Sequence, residues 1–298
     1  MGAAIPERRA PDRLVRTISK EGGIAVRAIV GTRLVAEAAR RHDTSPTATA
    51  ALGRTLLGAL LLASGGKSGE SVQIQFRGGG PLRGIVALAN DAGHARGYVL
   101  HPHADPPRVN GELDVHNAVG AGVLTVVRQR PGQPPYTGVV QILYGTIARD
   151  LTHYLAESEQ SRTAVALGVQ EADDGQIAAA AGYLVHALPG ASEAETRRAE
   201  ENALRTSFPS ALVAAGCDAR ELTGRLLDGL GQREPFESEV AFRCNCDADR
   251  VAAAVRLLGE DEIARAARSG EVLEVRCEFC AESYTLAADA LRALIHGA

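Results

Sequence analysis

A chain of 298 residues can form one large domain or two to three smaller ones. Its formal net charge of −4 and pI near 6.1 give no overall attraction to nucleic acid or to an anionic membrane. No signal-like apolar run and no charge-free segment of membrane length is found, and four of the five cysteines are grouped in two pairs, which fits a reducing compartment. The composition therefore predicts a cytoplasmic protein with no membrane or nucleic-acid partner.

The first part of the chain predicts an α+β domain over residues 13–188, after a disordered tail over residues 1–12. Residues 23–30 have the pattern of a strand, and residues 33–42 that of a helix. A longer helix begins at Ser45, because serine caps helix starts and the proline that follows is tolerated in the first turn. Apolar residues recur along it at helical spacing, so we expect one of its sides to be buried.

Beyond residue 69 the pattern changes to short strands separated by turn residues. A helix over residues 147–158 interrupts them, with Ile147, Leu151, Tyr154 and Leu155 on one face. Because consecutive strands are joined by short turns, hairpins dominate and the sheet is predicted to be antiparallel. The predicted strands cover residues 71–77, 84–90, 97–100, 122–129, 138–144, 163–169 and 176–186.

Residues 189–240 predict a helical linker of conditional stability. Charged residues crowd this segment, and its apolar residues form only a narrow stripe. A short isolated helix is marginal in water, so these helices are expected to fold only while another surface supports them. We expect the stripe to be pressed against the N-terminal domain. It consists of Leu204, Phe208, Leu212, Leu222 and Leu226.

The last segment, residues 241–298, predicts a small zinc-binding domain. The first cysteine pair, Cys244 and Cys246, is separated by 30 residues from a second pair, Cys277 and Cys280. A tetrahedral zinc ion takes four soft ligands, and closely spaced cysteine pairs can supply them from two short turns, so we predict one zinc ion per chain. The residues between the pairs predict a helix over 247–259 with Asp247 as its cap, a second helix over 261–269 and a strand over 271–276.

Most four-cysteine zinc sites only stabilise a small module. Thiolates held by zinc stay deprotonated, however, so they can react with peroxide or hypochlorite. Structural zinc supplies roughly 10–16 kcal/mol of apparent binding free energy in small modules, so its loss should unfold a domain of this size. Oxidation of the four cysteines could therefore release the zinc ion and unfold the domain.

Other motifs give weaker signals. The run Gly65-Gly66-Lys67-Ser68 resembles the end of a phosphate-binding loop, but Leu61 stands where the earlier glycine is required and the segment follows a helix. His101 and His103 with Asp105 could bind a metal in principle, yet a solvated proline-rich loop fits better. Cys217 is expected to be a small apolar residue of the linker. No catalytic serine, histidine and aspartate set is recognisable, so an enzyme is not predicted.

The cysteine motifs resemble those of the redox-regulated thirty-three-kilodalton chaperonin, a family of bacterial heat-shock holdases. Nearly the whole chain shares the resemblance, although Asp247 stands where the family usually has serine. The other matching segments are Tyr136-Thr137-Gly138-Val139-Val140, Ser158-Glu159-Gln160, Leu167-Gly168-Val169, Gly182-Tyr183-Leu184, Pro235-Phe236 and Phe242-Arg243.

The resemblance implies a reduced, zinc-loaded monomer with little activity and an oxidised homodimer that binds unfolding proteins without ATP. Oxidation would join Cys244 to Cys246 and Cys277 to Cys280, and zinc would leave. The linker would then lose order and offer its apolar stripe to clients.

Two other functions are open on the sequence. A zinc ribbon that binds nucleic acid would use the metal only as structure, but from residue 241 onward seven arginines face ten acidic residues, the wrong balance for phosphate. A thiol oxidoreductase would use Cys277 and Cys280, but this pair does not open a helix in a thioredoxin-like pattern.

Overall fold

The chain divides between Phe242 and Arg243 into two units, each with its own hydrophobic core. The computed structural model describes residues 11–66, 68–270 and 272–296. The predicted tail therefore lies almost wholly outside the described residues. Its last residue, Asp12, is buried, and its carboxylate accepts hydrogen bonds from the amides of Arg33 and Leu34 at 3.1 and 2.7 Å.

Every predicted strand and helix of the first 188 residues is present, with ends shifted by at most three residues, while β1 and α3 were not predicted. The strands are β1 Arg13–Ile18, β2 Ile24–Val30, β3 Ser71–Gly78, β4 Gly84–Asn90, β5 His94–Val99, β6 Gly122–Gln129, β7 Tyr136–Ile142, β8 Thr163–Glu171, β9 Ile177–Ala187, β10 Phe236–Glu239, β11 Ala241–Phe242, β12 Leu273–Arg276 and β13 Ser283–Leu286. The helices are α1 Thr32–His42, α2 Pro46–Ala63, α3 Val115–Val119, α4 Ala148–Glu159, α5 Glu193–Arg205, α6 Pro209–Ala214, α7 Ala219–Leu226, α8 Ala248–Arg256, α9 Glu260–Ser269 and α10 Ala288–His296.

The first unit contains two sheets. One has five antiparallel strands in the order β10-β1-β2-β9-β8, and the other has six in the order β11-β5-β4-β3-β6-β7, with only β11 parallel to its neighbour β5. The mixture of helices with mostly antiparallel sheets is the predicted α+β class. The twelve-residue helix α4 places Ile147, Leu151, Tyr154 and Leu155 in the core, as predicted.

Helix α2 is the centre of this unit because it packs against strands of both sheets. The Ser45 side chain accepts a hydrogen bond from the amide of Ala48, as expected of its cap. The prediction that only one side of α2 is buried is wrong, since every residue except Pro46 and Arg54 is buried. Its length and apolar composition would suit a membrane span, but 89% of it is buried inside the fold, as in the core helix of a water-soluble domain.

Helices α5, α6 and α7 of the linker cover the outer face of the five-stranded sheet. Strand side chains alternate between the faces, so Val26 and Ala28 join the linker core while Ile29 joins the central core. Leu222 and Leu226 are completely buried against this face, as the narrow stripe predicts. The segment 189–240 is therefore folded on the N-terminal sheet.

The prediction that Leu204 and Phe208 belong to the packed stripe is wrong. They are 77% and 75% exposed, and Leu212 is half-buried. The reason is that α5 ends at Arg205 and Phe208 precedes α6, so the four-residue spacing crosses a break in the helix. Helix α5 instead turns its small residues Ala199 and Ala203 toward the sheet.

A charge network with a buried carboxylate at its centre lies at the C-terminal end of α2. The Glu70 side chain is completely buried and contacts Arg128 at 3.0 Å and Arg130 at 2.8 Å. Arg128 also contacts Glu159 at 2.7 Å. Burial opposes ionisation of Glu70, but the hydrogen bonds from Arg130 and Arg128 outweigh it and lower the pKa of this carboxyl. Glu70 is therefore ionised at neutral pH.

The linker packing predicts a clear difference between two leucines. Replacing the buried Leu226 by alanine should lower the free energy of unfolding of the first unit by about 3 kcal/mol, because a cavity opens under α7. Leu204→Ala, in the same linker but exposed, should change it by less than about 0.5 kcal/mol. Urea unfolding gives both values, and amide hydrogen exchange should show faster opening of α5 to α7 in the first variant alone. Equal effects would contradict the packing.

The Glu70 network predicts a pH-dependent loss of stability. Glu70→Gln should destabilise the first unit by about 3 kcal/mol at pH 7, because Arg128 and Arg130 lose their shared partner. Since the folded-state pKa is lowered, the carboxylate stabilises the fold fully above the unfolded pKa of about 4.3 and loses this effect below it. The difference between wild type and variant should therefore shrink as the pH falls from about 5 to about 3. A difference that is constant with pH in urea unfolding would contradict this.

Candidate metal centre

Four cysteine sulfurs converge in the second unit. The sulfurs of Cys244, Cys246, Cys277 and Cys280 all lie within 4.8 Å of one another. Two of the contacts join the first pair to the second, with 3.9 Å between the sulfurs of Cys244 and Cys277 and 3.3 Å between those of Cys246 and Cys280. A tetrahedral ion with metal–sulfur bonds of about 2.3 Å sets its sulfurs about 3.8 Å apart. The predicted ligands therefore fit a single soft metal ion.

The first pair is held between a strand and a helix. Cys244 comes two residues after the end of β11 in the chain, and Asp247, the cap of α8, comes directly after Cys246. The Asp247 carboxylate accepts a hydrogen bond from the Arg250 amide at 2.8 Å, so it caps α8 as predicted. The helix start thus fixes the direction in which the chain leaves Cys246.

The second pair lies in the turn between β12 and β13. The amide of Cys277 donates to the Glu282 carbonyl at 2.9 Å, and the amide of Ala281 donates to the Cys277 carbonyl at 2.8 Å. Ala281 has a φ of 58°, in the left-handed region that favours glycine. This tight turn aims backbone amides at the sulfurs, from Phe279 and Cys280 to Cys277 and from Glu282 to Cys280. Amides in this arrangement favour thiolates.

Tyr284 completes the surroundings of the cluster and was missed by the sequence reasoning. Its hydroxyl donates a hydrogen bond to the Cys246 sulfur at 3.2 Å. Tyr284 lies on β13 opposite Val275 of β12, so the hairpin brings it back to the metal centre. The only signal in the sequence is an aromatic residue four positions after Cys280 in a strand-like pattern.

The protonation of the thiols depends on the metal. Burial raises the pKa of both Cys277 and Cys280, and the neighbouring sulfurs raise that of Cys280 further. Without a cation Cys277 and Cys280 therefore keep their protons at neutral pH. A bound metal ion stabilises the thiolates and displaces those protons.

The core of the second unit is small. Among its described residues only Val251, Val255, Ile263, Ala267 and Leu291 form the buried apolar cluster, while Leu257 is 88% exposed. A core of this size supplies little net stability to a unit of about 56 residues. The metal centre is therefore expected to carry much of the folding free energy.

Comparisons with known proteins agree with the cysteine motifs. The family model described as Hsp33 protein matches residues 12–287. The 33 kDa chaperonin of Symbiobacterium thermophilum is 42% identical over 275 residues, covering 92% of this chain and 93% of that protein. That of Geobacter sulfurreducens is 39% identical over 288 residues, covering 95% and 94%. The chain belongs to the Hsp33 family.

A solved structure supports the same assignment at the level of the fold. The 33 kDa chaperonin from Thermotoga maritima, a heat shock protein 33 homolog, aligns with a TM-score of 0.89 and 27% identity, covering 97% of this chain and 99% of that one. Membership of the Hsp33 family supports a chaperone role for the chain, and its four clustered cysteines could hold a metal ion.

The other residues singled out in the sequence lie in the first unit, apart from the cysteine cluster. The Asp105 carboxylate accepts hydrogen bonds from the amide and hydroxyl of Thr47 and so caps α2. The Nδ1 atom of His101 lies 3.1 Å from the carbonyl of Pro81. Cys217 is half-buried beside the linker core, and burial raises the pKa of its thiol, as suits an apolar residue.

Tyr284 provides a test of the metal centre. Tyr284→Phe keeps the ring but removes the hydrogen bond to Cys246, so metal affinity should fall about tenfold. Competition with a chromogenic chelator measures this affinity, and Tyr144→Phe in the first unit serves as the matched control. Equal affinities of both variants and the wild type would contradict a role for this hydroxyl.

Proposed function

We propose that this protein is a redox-regulated chaperone that binds unfolding proteins without ATP. The observation that carries the proposal is the convergence of four thiols in a unit with a small core. In the reduced state Cys244, Cys246, Cys277 and Cys280 would hold one zinc ion, which supplies the charge that keeps the four sulfurs deprotonated. The protein would work in the reducing cytoplasm.

Oxidation would convert the ligands into disulfides. For each disulfide two thiolates give up two electrons, and one hydrogen peroxide takes them up with two protons and leaves as two water molecules. We propose that the pairs are Cys244 with Cys246 and Cys277 with Cys280. All four sulfurs start within 4.8 Å, so either local or cross pairs are within reach. Local pairs favour unfolding, because a cross-link from Cys246 to Cys280 would close a long loop and hold the two turns together.

Unfolding of the second unit would then act on the linker through the chain. The short strand β11 ends at Phe242, two residues before the first ligand. Strands β10 and β11 join the end of the linker to the two sheets, through four and two paired residues. We propose that these strands separate once the metal is lost and that α5 to α7 follow, since short helices need a supporting surface.

The client surface would consist of both faces that the linker covers. Leu222 and Leu226 lie on one, and Val26 and Tyr183 on the other. Leu204, Phe208 and Leu212 would add to it, and the first two are already exposed in the folded linker. Burial of apolar area stabilises a complex by about 25 cal/mol per Å², so a few hundred Å² suffice for many weak contacts.

The partners are unfolding or oxidatively damaged proteins. We propose that the reduced form is a monomer and that the oxidised form is a homodimer, because the newly exposed apolar surface can also bind a second copy. From residue 241 onward acidic residues outnumber arginines, so nucleic acid is not expected to compete for the second unit.

Peroxide treatment of the zinc-loaded protein tests the proposal. At elevated temperature it should release one zinc ion per chain, form two disulfides and suppress aggregation of a denatured client without ATP. Cys217→Ser should behave like the wild type, because Cys217 lies outside the metal centre. A zinc indicator, thiol titration and light scattering give the three measurements.

Two results would contradict the proposal at different points. Zinc release without suppression of client aggregation would contradict the proposal that oxidation activates a chaperone. Peptide mapping that recovers Cys246 joined to Cys280 would overturn the local pairing, although the switch itself could still operate.

A further inference from the structure

A cavity of about 500 Å³ lies in the first unit, at the C-terminal end of α2. Its walls come from both sheets and from α4. Apolar side chains of Leu62, Leu155 and Leu184 line part of it. The rest is charged or polar, and five of these residues carry a formal charge: Arg27, Glu70, Arg128, Arg130 and Glu159.

Three arginines near the cavity neutralise the end of α2. The last turn of this helix contains no basic residue. Instead, Arg16 donates to the carbonyl of Ser64 at 2.9 Å, Arg27 to that of Leu61 at 3.1 Å and Arg128 to that of Leu62 at 3.4 Å. Cations at a helix C-terminus stabilise it. This explains one donor of each guanidinium, and Arg128 directs its others to Glu70 and Glu159.

Charge in the cluster is unbalanced. Both carboxylates in the cavity wall already have ion-pair partners. Arg128 contacts Glu70 and Glu159, and Arg130 also contacts Glu70. Within the described part of the chain Arg27 forms no ion pair. Burial and the nearby charges of Arg128 and Arg16 lower its pKa to about 10, so it still carries its charge at neutral pH. The nearby charges of Glu159 and Glu70 offset part of this effect, but neither carboxylate pairs with Arg27 directly, and a half-buried cation without a direct partner is costly.

The two glycines after α2 make room for these charges. A Cβ on Gly65 would overlap the guanidinium of Arg27, and one on Gly66 would overlap the carboxylate of Glu70. Any other residue at position 65 would therefore push Arg27 out of its place. The glycine run that resembles a phosphate-binding loop thus supports an arginine site at the end of a helix, not a loop of amides at its start.

We propose that this cavity binds a phosphate group, free or carried by a small molecule, with Arg27 as its main ligand. Four arginines, namely Arg16 and the three in the cavity wall, face two carboxylates, so a dianion would balance the cluster. Arginine matches the geometry of phosphate oxygens with two parallel donors. The cavity is larger than one phosphate, and Tyr136 and Pro134 at its wall offer contacts to an attached organic group.

Isothermal titration of the reduced, zinc-loaded full chain tests the site. Inorganic phosphate and ribose 5-phosphate are titrated separately in about 0.15 M NaCl, which screens surface charges. We expect saturation at one site per chain with a Kd of about 1 mM or lower for at least one of them. Tighter binding of ribose 5-phosphate would identify a carried phosphate, and equal or weaker binding a free one.

Variants locate the site. R27Q removes the main ligand and G65A displaces it without changing the charge, so each should weaken binding about tenfold or more. R149Q is the matched control, because Arg149 is an exposed arginine of the same unit that stacks on Tyr144. If R27Q and G65A do not fold, R130Q replaces them in this experiment, because the Arg130 side chain is 43% exposed at the edge of the cavity.

A second readout separates binding from folding. Phosphate should raise the Tm of the wild type and of R149Q but not that of R27Q or G65A, since only a protein that binds is stabilised by ligand. The proposal is overturned if no saturation occurs by about 10 mM. It is equally overturned if R149Q weakens binding as much as R27Q, or if acetate binds as tightly as phosphate.

Discussion

The four sulfurs of the second unit impose a constraint that its apolar core cannot replace. Their turns are fixed by backbone hydrogen bonds, by the Asp247 cap and by Tyr284, yet the buried cluster beneath them contains only small and branched aliphatic residues. Burial raises the pKa of Cys277 and Cys280, so a cation is needed to hold thiolates together. We propose that folding of this unit is coupled to metal binding, whereas the first unit has a large core of its own.

The interface between linker and sheet has the character of a separable contact. Its buried residues include four alanines, and the exposed side of the linker contains ion pairs between its own residues, Arg198 with Asp228 at 2.8 Å and Arg220 with Glu237. Exposed ion pairs contribute little in water, and small side chains bury little area. We propose that the linker is folded on its sheet with limited stability, as a conditional element requires, and that its charged residues keep the segment soluble once it is released.

Local signals made much of this fold predictable. The Ser45 cap, the buried face of α4 and the spacing of the cysteines each depend on residues close in sequence. Strand β10 was not predicted, because the run from Phe236 to Glu239 alternates without an apolar face and exists only through its pairing with β1. Tyr284 was missed for a similar reason, since its partner Cys246 lies 38 residues away. Tertiary pairing, not local preference, decides both.

Helix α2 shows how one requirement of the fold creates another feature. A helix buried on all sides cannot expose its last carbonyls to water, and its own last turn supplies no cation. Arginines from β1, β2 and β6 therefore reach it from two different sheets. Glu70 and Glu159 offset part of the charge they bring. The cluster therefore keeps a net positive charge beside an open cavity. The arginines that cap this core helix from distant strands thus also produce the conditions for anion binding.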